Sequence, residues 1–291
     1  MHFLKNTALT ISALTLTACM STQPPVITMQ SNDVYQFNDK SSFALNVANM
    51  TRKTAGLSDV DLPENAQFKS NNALVGAEYA LAFLSDGLID LAGSMGAQSQ
   101  ADRAFNWKPM LVFLGELNEQ DLDASALNLV ESGLKETFNN IAGTEYVGIA
   151  RSDNARDSNN FMYFYKGGAL CNAETRKLYI YTSPEPHPHF VDYDPAVFNG
   201  SCASAVKIEV NGKVNYNGEV KDVVTMTILN GYEGFDSIAV ATAGFSIVPK
   251  EYGVWGADIK YTVPAPYVVH NNTMYLFSTS NRSYKLNNSV R

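Results

Sequence analysis

Two spacings of apolar residues divide the chain. Leu74, Ala77, Leu81, Leu84, Leu88 and Leu91 recur at three- and four-residue steps. That period predicts a helix over 72–91, with Asn71 or Asn72 to cap its start and Gly93 just past its end. Val75, Ala82 and Ile89 widen its apolar face. Leu127, Val130, Leu134, Phe138 and Ile141 repeat the pattern over 123–141, with Gly143 as the stop. Between the two helices, Met110 to Leu114 is a continuous apolar run entered through Pro109. A run of that length without alternation predicts a strand buried on both faces. Tyr146 to Ala150 reads as another strand. The order strand–helix–strand predicts a βαβ-like unit, with a right-handed crossover if the strands are parallel.

After the polar stretch 152–160 the period shortens. Phe161 to Tyr165 and Leu178 to Tyr181 are aromatic strands joined around Gly167-Gly168. Asn199-Gly200, Asn211-Gly212, Asn217-Gly218 and Asn230-Gly231 each suit a tight hairpin turn. Strands are expected at 206–210, 223–229, 238–248, 259–263 and 274–278. The fold class is α+β. The N-terminal half holds two main helices and the βαβ-like unit, and the C-terminal half is mostly antiparallel β. A helix-rich α+β part spans 33–150 and a β-rich part 151–291. No charged or proline-rich linker divides them, so they can form one continuous domain. No repeat of 20–50 residues is present.

The first residues have a different logic. Lys5 precedes a modestly apolar stretch from Thr7 to Leu16, and Leu16-Thr17-Ala18-Cys19 follows at once. About ten apolar residues are too few to span a bilayer, which needs roughly 20 in a helix. Small Ala18 before the cysteine, Leu16 three positions before it and no upstream acid complete the pattern. It resembles the lipobox of bacterial lipoprotein precursors. The resemblance implies a signal peptide over 1–18, cleavage before Cys19, and a diacylglyceryl thioether and N-acyl chain on that cysteine. Met20 stands where enterobacterial lipoproteins retained in the inner membrane carry aspartate, so the resemblance points to the outer membrane. Residues 19–32 are then the lipidated N-terminus and a flexible tether. The stretch 20–31 is uncharged and contains Pro24-Pro25.

Removal of 1–18 takes Lys5, leaving 29 acids against 20 Lys and Arg, a formal charge of −9. An acidic surface argues against nucleic acid and against electrostatic docking on anionic lipid. Attachment to the bilayer then rests on acylated Cys19. With Cys19 used by lipid, Cys171 and Cys202 remain as an even pair in an oxidising compartment. A disulfide between them closes a loop of 31 positions, worth about 3–4 kcal/mol in the chain-entropy account. Two free buried thiols or a metal pair are the alternatives, and no Cys-x-x-Cys spacing supports the latter.

The most suggestive polar cluster is Pro184-Glu-Pro-His187-Pro-His189, followed by Asp192 and Asp194. In an extended segment, residues two apart point the same way, so His187 and His189 can face one metal, with Glu185, Asp192, Asp194 or distant His270 to complete the site. The plainer reading is a rigid, proline-braced surface loop. No Gly-x-Ser-x-Gly elbow, phosphate-cradling loop or dinucleotide fingerprint occurs, and no catalytic residue or cofactor is expected. Tyr163, Tyr165, Tyr179 and Tyr181 are expected in the core, with a groove for glycan or peptide as the alternative.

These readings point to a membrane-anchored envelope lipoprotein on the outer membrane, at its periplasmic face ahead of the cell surface. It acts as a non-enzymatic binding or assembly module for another envelope protein or a glycan. The alternative is an envelope hydrolase, metal-dependent, using the loop around His187 and His189.

Overall fold

The computed structural model describes residues 26–53, 57–61, 66–70, 79–83, 108–151, 161–172, 194–229, 235–248, 262–263 and 266–286. Its strands are β1 (Val34–Gln36), β2 (Ala66–Ser70), β3 (Tyr79–Phe83), β4 (Met110–Gly115), β5 (Thr144–Arg151), β6 (Phe161–Gly167), β7 (Cys202–Tyr216), β8 (Glu219–Ile228), β9 (Phe245–Val248), β10 (Thr262–Val263), β11 (Tyr267–His270), β12 (Thr273–Leu276) and β13 (Ser283–Lys285). Its helices are α1 (Phe43–Met50), α2 (Leu122–Asn139), α3 (Pro195–Phe198) and α4 (Phe235–Ala241). The fold is α+β with strands predominating.

One large sheet runs in the order β13-β12-β11-β9-β4-β8-β7-β6-β5, with β1 added beside β7. Every neighbouring pair is antiparallel except β1 with β7. The apolar run at 110–114 does form a central strand: β4 is flanked by β8 and β9, and Met110 to Phe113 are buried. Strands from both sequence halves thus share one sheet, and the division at 150/151 falls inside β5. A second, three-stranded sheet has the order β10-β3-β2.

The expected βαβ unit takes a wider form. Counting alternation across the sheet, β4 and β5 point the same way. They are separated by β8, β7 and β6, so α2 bridges the sheet and does not join adjacent strands. Its buried stripe, Ala126, Val130, Leu134 and Phe138, packs in one cluster with Leu111, Phe113, Val224, Met226 and Ile228. Mid-helix Gly133 lets the helix come close: a Cβ there would stand 2.2 Å from the Phe113 ring. The opposite face of the sheet is covered by α1, capped by the Ser42 hydroxyl, which accepts from Leu45 N–H at 3.0 Å. Ala44, Val47, Ala48 and Met50 pack there with Val112, Val223, Phe245, Ile247 and Val268. Farther along this face, Phe198 of α3 covers Phe164, Ala150 and Ala203.

Several expectations change. The helix predicted over 72–91 contains strand β3, paired antiparallel with β2; the rest of that span lies outside the described residues. The strand expected at 238–248 is half helix: α4 ends at Ala241 before β9 begins. The mostly β C-terminal half thus also holds two short helices, α3 and α4. Of the four Asn-Gly pairs, Asn217-Gly218 makes the β7–β8 hairpin, both residues having positive φ. Asn211-Gly212 instead forms a bulge within β7, between Val210 and Lys213. Asn199-Gly200 follows α3, and Asn230-Gly231 lies outside the described residues. The β11–β12 hairpin uses Asn271-Asn272, also at positive φ.

Candidate functional site

Strand β7 organises the entry of the chain. Its first residues, Cys202 to Val206, pair with β6. Beyond the point where β6 ends, the same edge is taken by the N-terminal segment. Met29 bridges Val210 in parallel, and Val34 to Gln36 pair with Lys213 to Asn215. The uncharged stretch read as a tether over 20–31 is therefore docked from Ile27 onward. Val26 is 62% exposed and Ile27 only 2%, so the chain passes from solvent into the core in one step. The Ile27 N–H donates to Asp123 Oδ1 at 2.8 Å. Asp123 Oδ2 is held by Arg151 Nη1 at 2.6 Å. Asp123 lies in the first turn of α2, where a carboxylate also suits the helix dipole. One acid thus clasps the incoming chain, the start of α2 and the end of β5 together.

On the α1 face, rings from five separate segments meet around His270. The His270 ring stacks on Phe245, centroids 4.2 Å apart, and lies 6.1 Å from Phe43. Phe43 contacts Tyr275 at 4.3 Å, and Phe37 contacts Tyr216 at 5.6 Å. Phe37, Phe43, Tyr216 and Tyr275 are half-buried and pack on the rim of the α1 core. His270 Nδ1 lies 2.9 Å from the Gly244 carbonyl, so that nitrogen carries the proton. Nε2 then accepts from Asn271 Nδ2 at 3.0 Å, with the Tyr216 hydroxyl at 3.5 Å. Burial lowers the pKa of His270 below 6.5, and the bond to Gly244 partly opposes that shift. The imidazole is a neutral, doubly bonded member of the rim.

A polar strip crosses the same face between the α1 and α3 clusters. The Glu209 carboxylate, 6% exposed, is bonded by Lys53 on one oxygen and by Lys207 on the other at 3.0 Å. Beside it, Asn211 Nδ2 donates to Thr225 Oγ1 at 2.6 Å. Each oxygen of the carboxylate thus has a lysine partner within the strip.

Cys171 and Cys202 are joined as a disulfide, with Cα atoms 5.7 Å apart. Both are buried. Cys171 donates its N–H to the Gly167 carbonyl just past β6, and Cys202 pairs with Tyr165 at the head of β7. The bridge links residues 31 positions apart, on either side of His187 and His189 in the sequence.

Of the residues singled out from sequence, Cys19, His187, His189, Tyr179 and Tyr181 lie outside the described residues. Tyr163 and Tyr165 do not line a groove. They are buried in a stack with Phe138, at 6.1 and 5.1 Å, and burial raises the Tyr163 pKa. Among the described residues, no three His, Cys, Asp or Glu side chains are grouped to hold a metal, and no helix is long and apolar enough to cross a membrane. The aromatic rim and the Asp123 clasp were not anticipated. Their parts are spread over the chain, and only Phe37 and Tyr216, as large aromatics beside turn residues, gave a local signal. No family model, curated protein or solved structure matches the chain.

Proposed function

We propose that this chain is an outer-membrane lipoprotein, anchored by acylated Cys19, whose folded domain is a non-enzymatic binding or assembly module. The observation that carries the reading is Leu16-Thr17-Ala18-Cys19, with the described fold beginning only a few residues later. Two or three acyl chains, at about 0.8 kcal/mol per buried methylene, hold a protein firmly on a bilayer. The aromatic rim around His270 supports a binding role. Half-exposed aromatic rings, such as Phe37, Phe43, Tyr216 and Tyr275, are the side chains enriched where proteins make contact. The partner class is an envelope protein or a glycan, and the periplasmic face of the membrane is the proposed location.

Cys19→Ser removes the acyl acceptor. Wild-type protein should incorporate palmitate and enter a detergent phase, and the variant should do neither. Equal partitioning of the two would remove the anchor from this reading. Crosslinking in native membranes should then recover a partner that Tyr275→Ala fails to retain.

A further inference from the structure

The structure shows where Ile27 is fixed in the core, and the sequence shows how few residues lie between it and Cys19. From the clasp at Ile27 we infer that the bilayer faces the pole of the domain formed by the first turn of α2 and the end of β5. This inference rests on the acylation of Cys19 proposed above.

The argument is one of lengths. Seven residues, 20–26, separate Cys19 from Ile27. Eight Cα-to-Cα steps reach at most about 28 Å even when fully extended. The described residues alone from Ile27 onward, 171 of them, would as a compact body have a radius of gyration of roughly 15 Å, hence a diameter of about 40 Å if spherical. The strap is shorter than the body is wide. It cannot pass around the domain, so the pole opposite Ile27 cannot rest on the membrane while Ile27 stays docked.

Docking at Ile27 is specific. The side chain is in the core, the N–H is bonded to Asp123, and Asp123 is held by Arg151. Downstream, the Gln30 N–H donates to the Val210 carbonyl at 2.8 Å, and β1 continues along β7. Pulling on the anchor therefore loads a parallel strand pairing and a buried side chain together, and the exit point stays fixed. The acidic surface has no electrostatic attraction to an anionic bilayer, so the strap, not the surface charge, sets the orientation. The other end of the sheet is remote. From β1 across to β13 there are seven strand spacings, about 33 Å at 4.7–4.8 Å each.

The test uses acylated protein in phosphatidylcholine vesicles with an energy-transfer acceptor on the headgroup. A donor fluorophore is placed at Gln120, exposed one turn before Asp123, or at Ser280, exposed between β12 and β13. Transfer should be at least twofold more efficient from 120 than from 280. Inserting twenty Gly/Ser residues between Pro25 and Val26 should reduce that ratio to near one. Equal transfer from the two positions without the insertion, greater transfer from 280, or a ratio that ignores the insertion overturns the inference while leaving the lipid anchor intact. Protein that fails to bind the vesicles at all overturns both readings.

Discussion

The two faces of the large sheet are made by the same strands and differ in chemistry. Under α2, every buried residue of the helix is apolar or a satisfied threonine, and Val130, Leu134 and Phe138 are wholly buried. Under α1, the apolar patch shades into half-exposed rings at one border and into the Glu209–Lys53–Lys207 strip at the other. The first face is closed, and its residues meet the free-energy requirements of folding. The second is finished with groups that keep one side toward solvent. Burial alone makes the first more sensitive to truncation, and exposure leaves the rings of the second accessible from solvent.

The contrast predicts unequal costs for one chemical change. Phe138→Ala should destabilise by about 3–5 kcal/mol, the range for deleting a fully buried ring. Phe43→Ala, at the half-buried rim, should cost about 1–2 kcal/mol, in proportion to the smaller area withdrawn from water. Urea unfolding of the two variants measures the difference. Equal midpoints would mean that the two faces are packed alike.

Gly133→Ala sharpens the same point with a sign. In an exposed helix the change gains about 1 kcal/mol from backbone propensity. Here the new methyl meets the Phe113 ring at 2.2 Å, and overpacking of this kind costs about 1–3 kcal/mol. A destabilised variant supports close seating of α2 on the sheet. A stabilised one would show that the helix stands farther off.

The smallest effect is electrostatic and belongs to the α1 face. Burial holds the folded pKa of His270 below 6.5. Below pH 6.5 the unfolded chain therefore takes up the proton more readily than the folded chain. The contribution of the neutral ring is complete above that pH and declines as pH falls from 6.5 toward the folded value. Unfolding midpoints should show a steeper loss between pH 7.5 and 5 in wild type than in His270→Gln. Parallel curves would mean that the ring is protonated without penalty.

The legible parts of the fold were those where one period stood alone. The apolar run at 110–114 has no helical spacing to compete with it, and it became β4. The stripe from Leu127 to Phe138 has no alternation, and it became the buried side of α2. The stretch 72–91 carried both. Leu74, Ala77, Leu81 and Leu84 step as a helix, while Tyr79, Leu81 and Phe83 alternate with alanines, and strand pairing with β2 prevailed over 79–83. In 235–248 the apolar residues are dense enough to read as strand throughout. Phe235, Ile238 and Ala239 share helical spacing, and the break comes at Gly244, where any side chain would strike the Val112 carbonyl. Helix α1 was missed although Ser42 caps it and Ala44, Val47 and Ala48 mark its face. The disulfide was readable because arithmetic left one pairing. The rim around His270 was not, because Phe37 and Phe43 meet Tyr216, Phe245 and Tyr275 only across more than a hundred residues of sequence.

That separation has a consequence for the order in which the protein can assemble. Strand β4 ends at Gly115, but its two neighbours span 222–227 and 245–247. The most apolar strand of the sheet therefore emerges with neither edge satisfied and waits for over a hundred residues of chain. Such a topology has a high contact order, and loop-closure entropy must be met before the central pairings form. The interval before closure exposes Met110 to Leu114 as a flat apolar edge, the kind of segment that associates with other chains. A folding helper that shields this one strand would act on the step at which the molecule is most exposed to misassembly.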